Sequence, residues 1–338
     1  MAEPNRAPTI SDVAALAGVS SATVSYVLSG RRNGDHRISE ETQHRVLHAV
    51  ETLGYVPNQT ARHLRRRRTE RVCLALPHLG IPSYDLLAAQ LDRAAEAHGY
   101  TTVIAVLGSA EREQRVFDQL RRGLADGAIV VSEHSLAHEL TPIVQAGVAL
   151  VTMSNFPAPA GADSVQTTEE ETTHEAICFL TARGHRRIGF IGDAGMAASP
   201  WRFQGYRRAL REQGIPDADC LCTYYGTASR EQAYRCAAQM LSHSDRPTAI
   251  FAATDLAAIS AIWAARDAGL RIPQDIAVIG AGNIPEGAIT SPPLTTIGPL
   301  KVDYSPVFTM LFSRLAGEAP EAGRAHVIPW QLIERSSA

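Results

Sequence analysis

Lysine is almost absent from this sequence, and its scarcity restricts two kinds of site. Lys301 is the only lysine among 338 residues. It follows Gly298-Pro299-Leu300, which is not the glycine-rich loop that precedes the lysine of a phosphate-binding P-loop. Schiff-base chemistry would depend on this single amine. The sequence also contains no His-Glu-x-x-His, Gly-x-Ser-x-Gly or Gly-x-Gly-x-x-Gly motif. We therefore expect no enzyme activity and no cofactor.

Long apolar runs and a cysteine framework are also missing. No run of 18 apolar residues could form a membrane span, and the first residues lack the apolar segment of a secretory signal. We therefore expect a cytoplasmic protein without a membrane partner. The five cysteines are odd in number and scattered, which fits a reducing compartment. Cys220 and Cys222 have no companion ligands nearby, so ordinary thiols are favoured over a metal site.

Charge is distributed unevenly along the chain. Residues 1–71 carry 11 arginines and seven acidic residues, whereas the remaining residues carry 21 basic and 28 acidic ones. A basic end on an acidic body favours contact between that end and a polyanion.

The basic end has the pattern of three short helices. Thr9 begins a cap-like Thr-Ile-Ser-Asp sequence, and Gly18 ends the first helix. Ser20 and Ser39 are candidate caps for a second and a third helix. Two short helices joined by a Gly-Val-Ser turn are typical of a helix-turn-helix, whose second helix enters the major groove of DNA. A three-helix bundle without a DNA role would give the same pattern.

From Arg71 onward, short apolar runs alternate with helical stretches. Strands are predicted at 72–76, 102–106, 128–131, 148–151, 188–191, 249–251 and 276–279. Strands that alternate with helices indicate parallel, doubly wound sheets, so the fold class is α/β with an all-α headpiece before it. Two such units in series would bind a small molecule between them, near the carboxyl ends of the strands.

Several motifs, in this order, resemble the LacI/GalR family of repressors. In the headpiece they are Thr9-Ile10-Ser11-Asp12-Val13-Ala14, Ala17-Gly18-Val19-Ser20, Thr23-Val24-Ser25, Ile38-Ser39-Glu40-Glu41-Thr42 and Leu53-Gly54-Tyr55-Val56-Pro57-Asn58. In the body they are Gly184-His185-Arg186-Arg187-Ile188 and the segments 269–280 and 292–297. The resemblance implies a transcriptional repressor that binds a palindromic operator in double-stranded DNA as a homodimer. A small-molecule effector would control its affinity for that operator.

The resemblance also divides the chain into parts. A helix-turn-helix headpiece is expected at 1–56, a hinge helix with a basic linker at 57–70, and a body like a periplasmic binding protein at 71–338. The N-subdomain of the body would contain about 71–167 and 297–320, and its C-subdomain about 168–296 and 321–338. The chain would cross between them near residues 167, 297 and 320. No leucine heptad follows Ile333, so a dimer is expected rather than a tetramer.

The family's base-reading positions fall on Ser21, Ala22 and Tyr26. Most members carry arginine at the position of Tyr26, and tyrosine cannot make the bidentate contact of arginine with guanine. Either the operator differs there, or Tyr26 packs or contacts phosphate. The family's hinge helix implies that Leu64 is an apolar wedge in the minor groove, the alternative being an ordinary apolar residue. The predicted DNA-contacting residues are Thr9, Ser20, Ser21, Ala22, Thr23, Ser25, Tyr26, Asn58, Ala61, Arg62 and Leu64.

The resemblance places an effector site in the cleft of the body. The family's effector-gripping arginine falls on Arg202, and its Asn-Asp pair falls on Thr254-Asp255. Its acidic pair falls on Gly282-Asn283, so both of those carboxylates are missing, and Ser154 replaces a further aspartate. The predicted effector-binding residues are His78, Ser154, Arg202, Thr254, Asp255 and Asn283.

The missing carboxylates argue against a standard sugar, because carboxylates accept strong hydrogen bonds from sugar hydroxyls. An anionic or less polar effector is expected instead. Two alternatives stay open: the protein has no effector, or Arg202 is a structural surface residue. Trp201 and Trp330 are candidates for stacking on a ligand, whereas Trp263 is expected in core or dimer packing.

Three other functions fit part of the pattern. A solute-binding protein would need export, an enzyme would need the catalytic groups that are missing, and a DNA-packaging protein would bind all duplexes alike. The expected mechanism is linkage, in which the ligand closes or twists the body, disorders the hinge helices and lowers operator affinity. A corepressor that tightens binding also fits the sequence.

Overall fold

The computed structural model describes residues 8–29, 38–55, 68–132, 137–193, 200–216, 221–224 and 230–338. They form two compact units that divide between Arg68 and Thr69. Most of the predicted hinge and linker lies outside the described residues, and so do the DNA contacts predicted for Asn58, Ala61, Arg62 and Leu64.

The first unit contains three helices whose ends are fixed by caps. They are α1 (Ile10–Ala17), α2 (Ser21–Ser29) and α3 (Glu40–Leu53). Thr9 caps α1 in a capping box, in which the Asp12 carboxylate accepts the Thr9 N–H at 2.7 Å. Gly18 ends the helix at a φ of 64°, which glycine adopts without strain. Ser39 caps α3 by accepting the Thr42 N–H. The predicted caps at Thr9 and Ser39 are therefore confirmed.

One small core holds these helices together. Val13, Val24 and Val46 are fully buried in it. Leu47 is 51% exposed, because Val46 and Ala49 occupy the inner face of α3. No single helix of the described residues is long and apolar enough to cross a membrane; only α1 and α2 together reach that length, and they are bent by 101°.

The second unit is built from two six-stranded sheets and their helices. The first sheet contains β1 (Arg71–Leu76), β2 (Thr101–Val106), β3 (Gly127–Val131), β4 (Ala149–Met153), β5 (Asp163–Thr167) and β11 (Ala325–Ile328). The second sheet contains β6 (Ile188–Asp193), β7 (Leu221–Tyr224), β8 (Ala249–Ala252), β9 (Ala277–Ala281), β10 (Thr295–Gly298) and β12 (Gln331–Ile333). The helices are α4 (Pro82–Ala97), α5 (Ala110–Arg121), α6 (Ala137–Gln145), α7 (Glu169–Ala182), α8 (Pro200–Glu212), α9 (Arg230–Ser242), α10 (Asp255–Asp267), α11 (Pro285–Ala288) and α12 (Ser305–Leu315).

Both sheets have the strand order of a doubly wound fold. The orders are β11-β5-β4-β3-β1-β2 and β12-β10-β9-β8-β6-β7. Neighbouring strands are parallel except β12, which runs antiparallel to β10. Apolar clusters cover both faces of each sheet, as expected for parallel strands buried by helices on either side. The α/β fold class with an all-α headpiece is therefore confirmed.

The chain passes between the two sheets three times. The first passage follows Thr167 at the end of β5, and the second follows Gly298 at the end of β10. The third lies between Ile328 and Gln331, because β11 pairs with β5 before β12 joins the second sheet. The crossing predicted near residue 320 is therefore misplaced. The reason is a buried carboxylate of β5, Asp163, which holds this segment of chain in the first subdomain.

Asp163 is fully buried and binds two arginines. Arg324 donates to its carboxylate from the backbone N–H at 2.7 Å and from Nη2 at 2.6 Å. Arg314, on α12, donates to it from Nη2 at 2.7 Å. One carboxylate thus fixes α12 and the start of β11 against β5, which keeps both elements in the first subdomain.

Candidate functional site

A cavity of about 230 Å³ lies between the two subdomains of the second unit. Strands of both sheets end at it: His78 follows β1, Ser154 follows β4, Thr254 follows β8 and Gly282 follows β9. Since the carboxyl ends of parallel strands share one edge of a sheet, the two edges together form a binding cleft. The cavity is therefore the candidate effector site.

The structure brings together five of the six residues predicted to bind an effector. His78, Ser154, Arg202, Thr254 and Asp255 all line the cavity. Asn283 lies outside this lining. Its amide donates to the Pro299 carbonyl at 2.9 Å, and its side-chain carbonyl accepts from Arg335 at 2.7 Å. These two bonds hold its side chain between Pro299 and Arg335.

Arg202 is held in place by three partners. It lies in the first turn of α8, and its Nε donates to the Glu169 carboxylate at 2.7 Å. Its Nη1 donates to the carbonyl of Ala253, and its guanidinium lies 4.8 Å from the ring centroid of Trp330. The side chains of Arg202 and Glu169 are only 16% and 12% exposed, so the charge of the arginine is balanced inside the protein.

Asn155 ties the ends of β4 and β5 together beside this ion pair. Its side-chain carbonyl accepts the Thr167 N–H at 2.7 Å. Its amide donates to the Thr167 hydroxyl at 3.2 Å and to the second oxygen of Glu169 at 3.4 Å. Both ends of the Asn155 amide therefore have partners. The Glu169 carboxylate is held at one oxygen by Asn155 and at the other by Arg202.

Asp255 performs a structural task although it lines the cavity. It is 1% exposed, and its carboxylate accepts the Ile284 N–H at 2.8 Å and the Thr296 hydroxyl. Burial raises the pKa of Asp255 to about 6, against the opposing effect of these hydrogen bonds. Thr254 accepts the Ala257 N–H at 3.1 Å and caps α10. The pair predicted to bind an effector therefore also fixes the start of α10.

Four aromatic side chains line the cavity from both subdomains. Tyr84 and Tyr304 belong to the first subdomain, Trp201 to α8 of the second, and Trp330 to the third passage of the chain. Trp263 is outside the lining and 45% exposed on α10, so it is not a core residue.

Sequence reasoning missed Glu169, Asn155, Tyr84 and Tyr304 as residues of this cavity. The pairing of Glu169 with Arg202 depends on how α7 packs against α8, which local patterns do not determine. One usable signal was present, because an acidic run begins at Glu169, directly after the first predicted crossing.

In the first unit, α2 has one buried and one exposed face. Val24 is fully buried, whereas Ser21, Ala22 and Tyr26 are exposed, Tyr26 by 60%. Ser20 accepts the Thr23 N–H at 3.1 Å and caps the helix. The remaining predicted contacts in the described residues, Thr9, Thr23 and Ser25, are partly buried.

Two family models match the chain, one for each unit. Residues 9–58 match the bacterial regulatory proteins of the lacI family, and residues 177–338 match a periplasmic binding protein-like domain. The first match covers the three-helix unit, and the second covers the second sheet and three of the four aromatic residues that line the cavity, Trp201, Tyr304 and Trp330.

Similar proteins share this arrangement over their whole length. The HTH-type transcriptional repressor PurR of Vibrio atlanticus (strain LGP32) is 32% identical over 337 residues, which cover 97% of this chain and 98% of PurR. A transcriptional regulator CelR–cellobiose complex is 29% identical with a TM-score of 0.65, over 98% of this chain and 100% of that one. The lac repressor dimer bound to operator and the anti-inducer ONPF has the same fold, with a TM-score of 0.77 at 23% identity over 98% and 99% of the two chains.

These matches agree with the motifs in the headpiece and the body. They extend over nearly the full length of the chain, so they include both the three-helix unit and the two-sheet body. The protein therefore belongs to the LacI family of bacterial regulatory proteins and is a DNA-binding transcriptional regulator with a ligand-responsive body.

Proposed function

We propose that two copies of this chain bind one palindromic operator and repress transcription there, under control of a small molecule in the cleft. The observation that carries the proposal is the geometry of α2, which buries Val24 and exposes Ser21, Ala22 and Tyr26. A relative of the chain is named a repressor, and a protein of the same fold was solved as a dimer on operator.

The exposed face of α2 suits base reading of a particular kind. The Ser21 hydroxyl can donate or accept, and the Ala22 methyl can pack on a thymine methyl group. Tyr26 lies about one turn further along the helix and carries a single hydroxyl. Because tyrosine lacks the paired donors of arginine, the half-site is expected to lack a guanine requirement opposite Tyr26.

The cleft provides the means of control. It is lined by both subdomains, so a ligand that contacts both changes their relative orientation. In a dimer, such a change would be transmitted to the two hinge segments within 57–70 and alter operator affinity. Operator affinity measured with and without ligand shows whether the ligand raises or lowers that affinity.

Selection from a randomised duplex library with the full chain, at physiological salt, tests the operator proposal. We expect one inverted repeat, bound by two chains and preferred over random duplex by a factor of about 1,000 or more. Tyr26→Ala should weaken binding to that repeat about tenfold, the order expected for one lost base or phosphate contact. Ile289→Ala is the matched control, since Ile289 is 84% exposed in the second unit. Equal affinity for every duplex, or a complex with one chain, would contradict the proposal.

A further inference from the structure

The chemistry of the cleft narrows the class of effector, and the argument rests on the proposed function. We propose that the effector is an uncharged aromatic molecule with few hydrogen-bonding groups, rather than a sugar or an anion. Three features of the lining carry this proposal: its balanced charges, its occupied polar groups and its aromatic walls.

The charges of the lining disfavour an anion. Among the described residues that line the cavity, Arg202 is the only arginine or lysine, and Glu169 already pairs with it at 2.7 Å. Two further carboxylates, Asp255 and Asp303, belong to the same lining. An anionic ligand beside Arg202 would face the carboxylates of Glu169, Asp255 and Asp303 without a second arginine or lysine among the described lining residues, which is unfavourable.

A cationic ligand meets a different obstacle. The three carboxylates are engaged: Glu169 with Arg202, Asp255 with Thr296 and Ile284, and Asp303 with the Ser305 N–H at 2.9 Å. The Arg202 guanidinium also lies over Trp330 and would repel a second cation at that ring.

Several polar groups of the lining already have hydrogen-bond partners within the protein, which disfavours a polyol as ligand. Asn155 uses both ends of its amide, and Asp255 uses both carboxylate oxygens. Ser154 and Thr254 each accept a backbone N–H, which leaves the proton of each hydroxyl for donation. A sugar would lose water from many hydroxyls and regain few partners, which costs free energy for each unpaired group. One or two acceptor atoms on the ligand match this lining better.

The walls favour a flat ring. Tyr84 and Tyr304 line the cavity from one subdomain, Trp201 lines it from the other, and Trp330 lines it from the third passage of the chain. Aliphatic side chains such as Val131 and Ile328 belong to the same lining. Aromatic rings gain free energy beyond area burial when they stack offset or edge to face. The cavity of about 230 Å³ lies below the usual ligand range of roughly 300–1,000 Å³, which favours a compact ligand.

A charge series on one ring tests the proposal without DNA. The full chain is titrated with benzamide, benzoate, benzamidine and D-glucose, and binding is measured by tryptophan fluorescence and saturation-transfer NMR. We expect benzamide to bind about tenfold or more tightly than each of the other three, a difference of about 1.4 kcal/mol. Trp201→Ala should abolish benzamide binding, whereas Trp263→Ala, whose ring lies outside the cavity, should retain it.

Glu169→Gln provides a second, independent test. The substitution removes the charge that balances Arg202, so the affinity of benzoate relative to benzamide should rise about tenfold. Tighter binding of benzoate, benzamidine or glucose than of benzamide to the unsubstituted chain would overturn the proposal. Absence of benzamide binding, or its persistence in Trp201→Ala, would do the same. Operator selection without benzamide binding overturns this inference alone, whereas benzamide binding without operator selection overturns the proposed function alone.

Discussion

Asp163 and Asp255 are buried carboxylates whose pKa values move in opposite directions. Asp163 is 0% exposed; burial raises its pKa, but the hydrogen bonds from Arg324 and Arg314 outweigh burial and lower it overall. Asp255 is 1% exposed and accepts from neutral groups, so burial prevails and its pKa rises to about 6. Hydrogen bonds from two arginines thus lower the pKa of Asp163, whereas burial dominates the pKa of Asp255.

Asp163→Asn should destabilise the second unit strongly. The substitution leaves Arg314 and Arg324 around a group without charge, and breaking one side of a buried ion pair costs about 3–5 kcal/mol. Urea unfolding followed by circular dichroism measures the loss. Asp118→Asn is the matched control, because Asp118 and its partner Arg121 are 40% and 48% exposed. That change should cost about 1 kcal/mol or less. Equal losses in the two variants would contradict the structural role of Asp163.

Asp255 should make stability depend on pH in a defined window. Its pKa in the folded protein, about 6, lies above the ordinary value of 3.8. The folded state therefore holds more protons between these values, and the contribution of Asp255 to the free energy of unfolding falls as pH rises from about 4 to 6. The fall amounts to about 3 kcal/mol.

The difference between the unsubstituted protein and Asp255→Asn isolates this contribution. Unfolding free energies at pH 4, 5 and 6 should decline more steeply for the unsubstituted protein, and the slopes of the two proteins should converge at pH 7 and 8. Parallel curves for the two proteins would exclude the raised pKa.

At the scale of elements, the contact between α7 and α8 positions Arg202. Gly205 lies where α8 touches α7, and a Cβ at this residue would overlap the carbonyl oxygen of Glu170. Two ion pairs flank the contact, Arg202 with Glu169 at 2.7 Å and Arg208 with Glu170 at 2.8 Å. Glycine thus allows the close approach that the ion pairs require.

Gly205→Ala should separate the two helices and lower stability. Overpacking at a contact of this kind costs about 1–3 kcal/mol, measured by thermal or urea unfolding. The neighbouring Gln204 is exposed on the same helix, so Gln204→Ala serves as the control and should leave the unfolding midpoint almost unchanged. An unchanged unfolding midpoint for Gly205→Ala would show that α7 and α8 can separate at little cost in free energy.

At the scale of the whole molecule, the sequence predicts the buried central strands better than the edge strands and the long-range contacts. The apolar runs at β1, β3 and β8 are continuous and buried, so their strands were predictable from pattern alone. β5 and β11 were not, because β5 carries Asp163 and other polar residues and β11 alternates between exposed and half-buried residues. The missed β11 explains the misplaced third crossing.

The same division applies to the candidate site. The family resemblance predicted the positions after β1, β4 and β8, which lie together because the carboxyl ends of parallel strands share one edge of a sheet. The pairing of Glu169 with Arg202 and the turning of Asn283 toward Arg335 were not predictable. Each depends on chain segments that meet only in the folded protein.

The late arrival of β11 has a consequence for biosynthesis. β5 leaves the ribosome early, whereas β11, which covers its edge, follows almost the entire second sheet. Until then Asp163 lacks Arg314 and Arg324, and β5 presents an open edge that could pair with another nascent chain. A prematurely terminated chain therefore keeps both an exposed strand edge and a carboxylate without its two arginine partners. Completion of the first sheet thus distinguishes finished from unfinished molecules, and proteases and chaperones can act on that distinction.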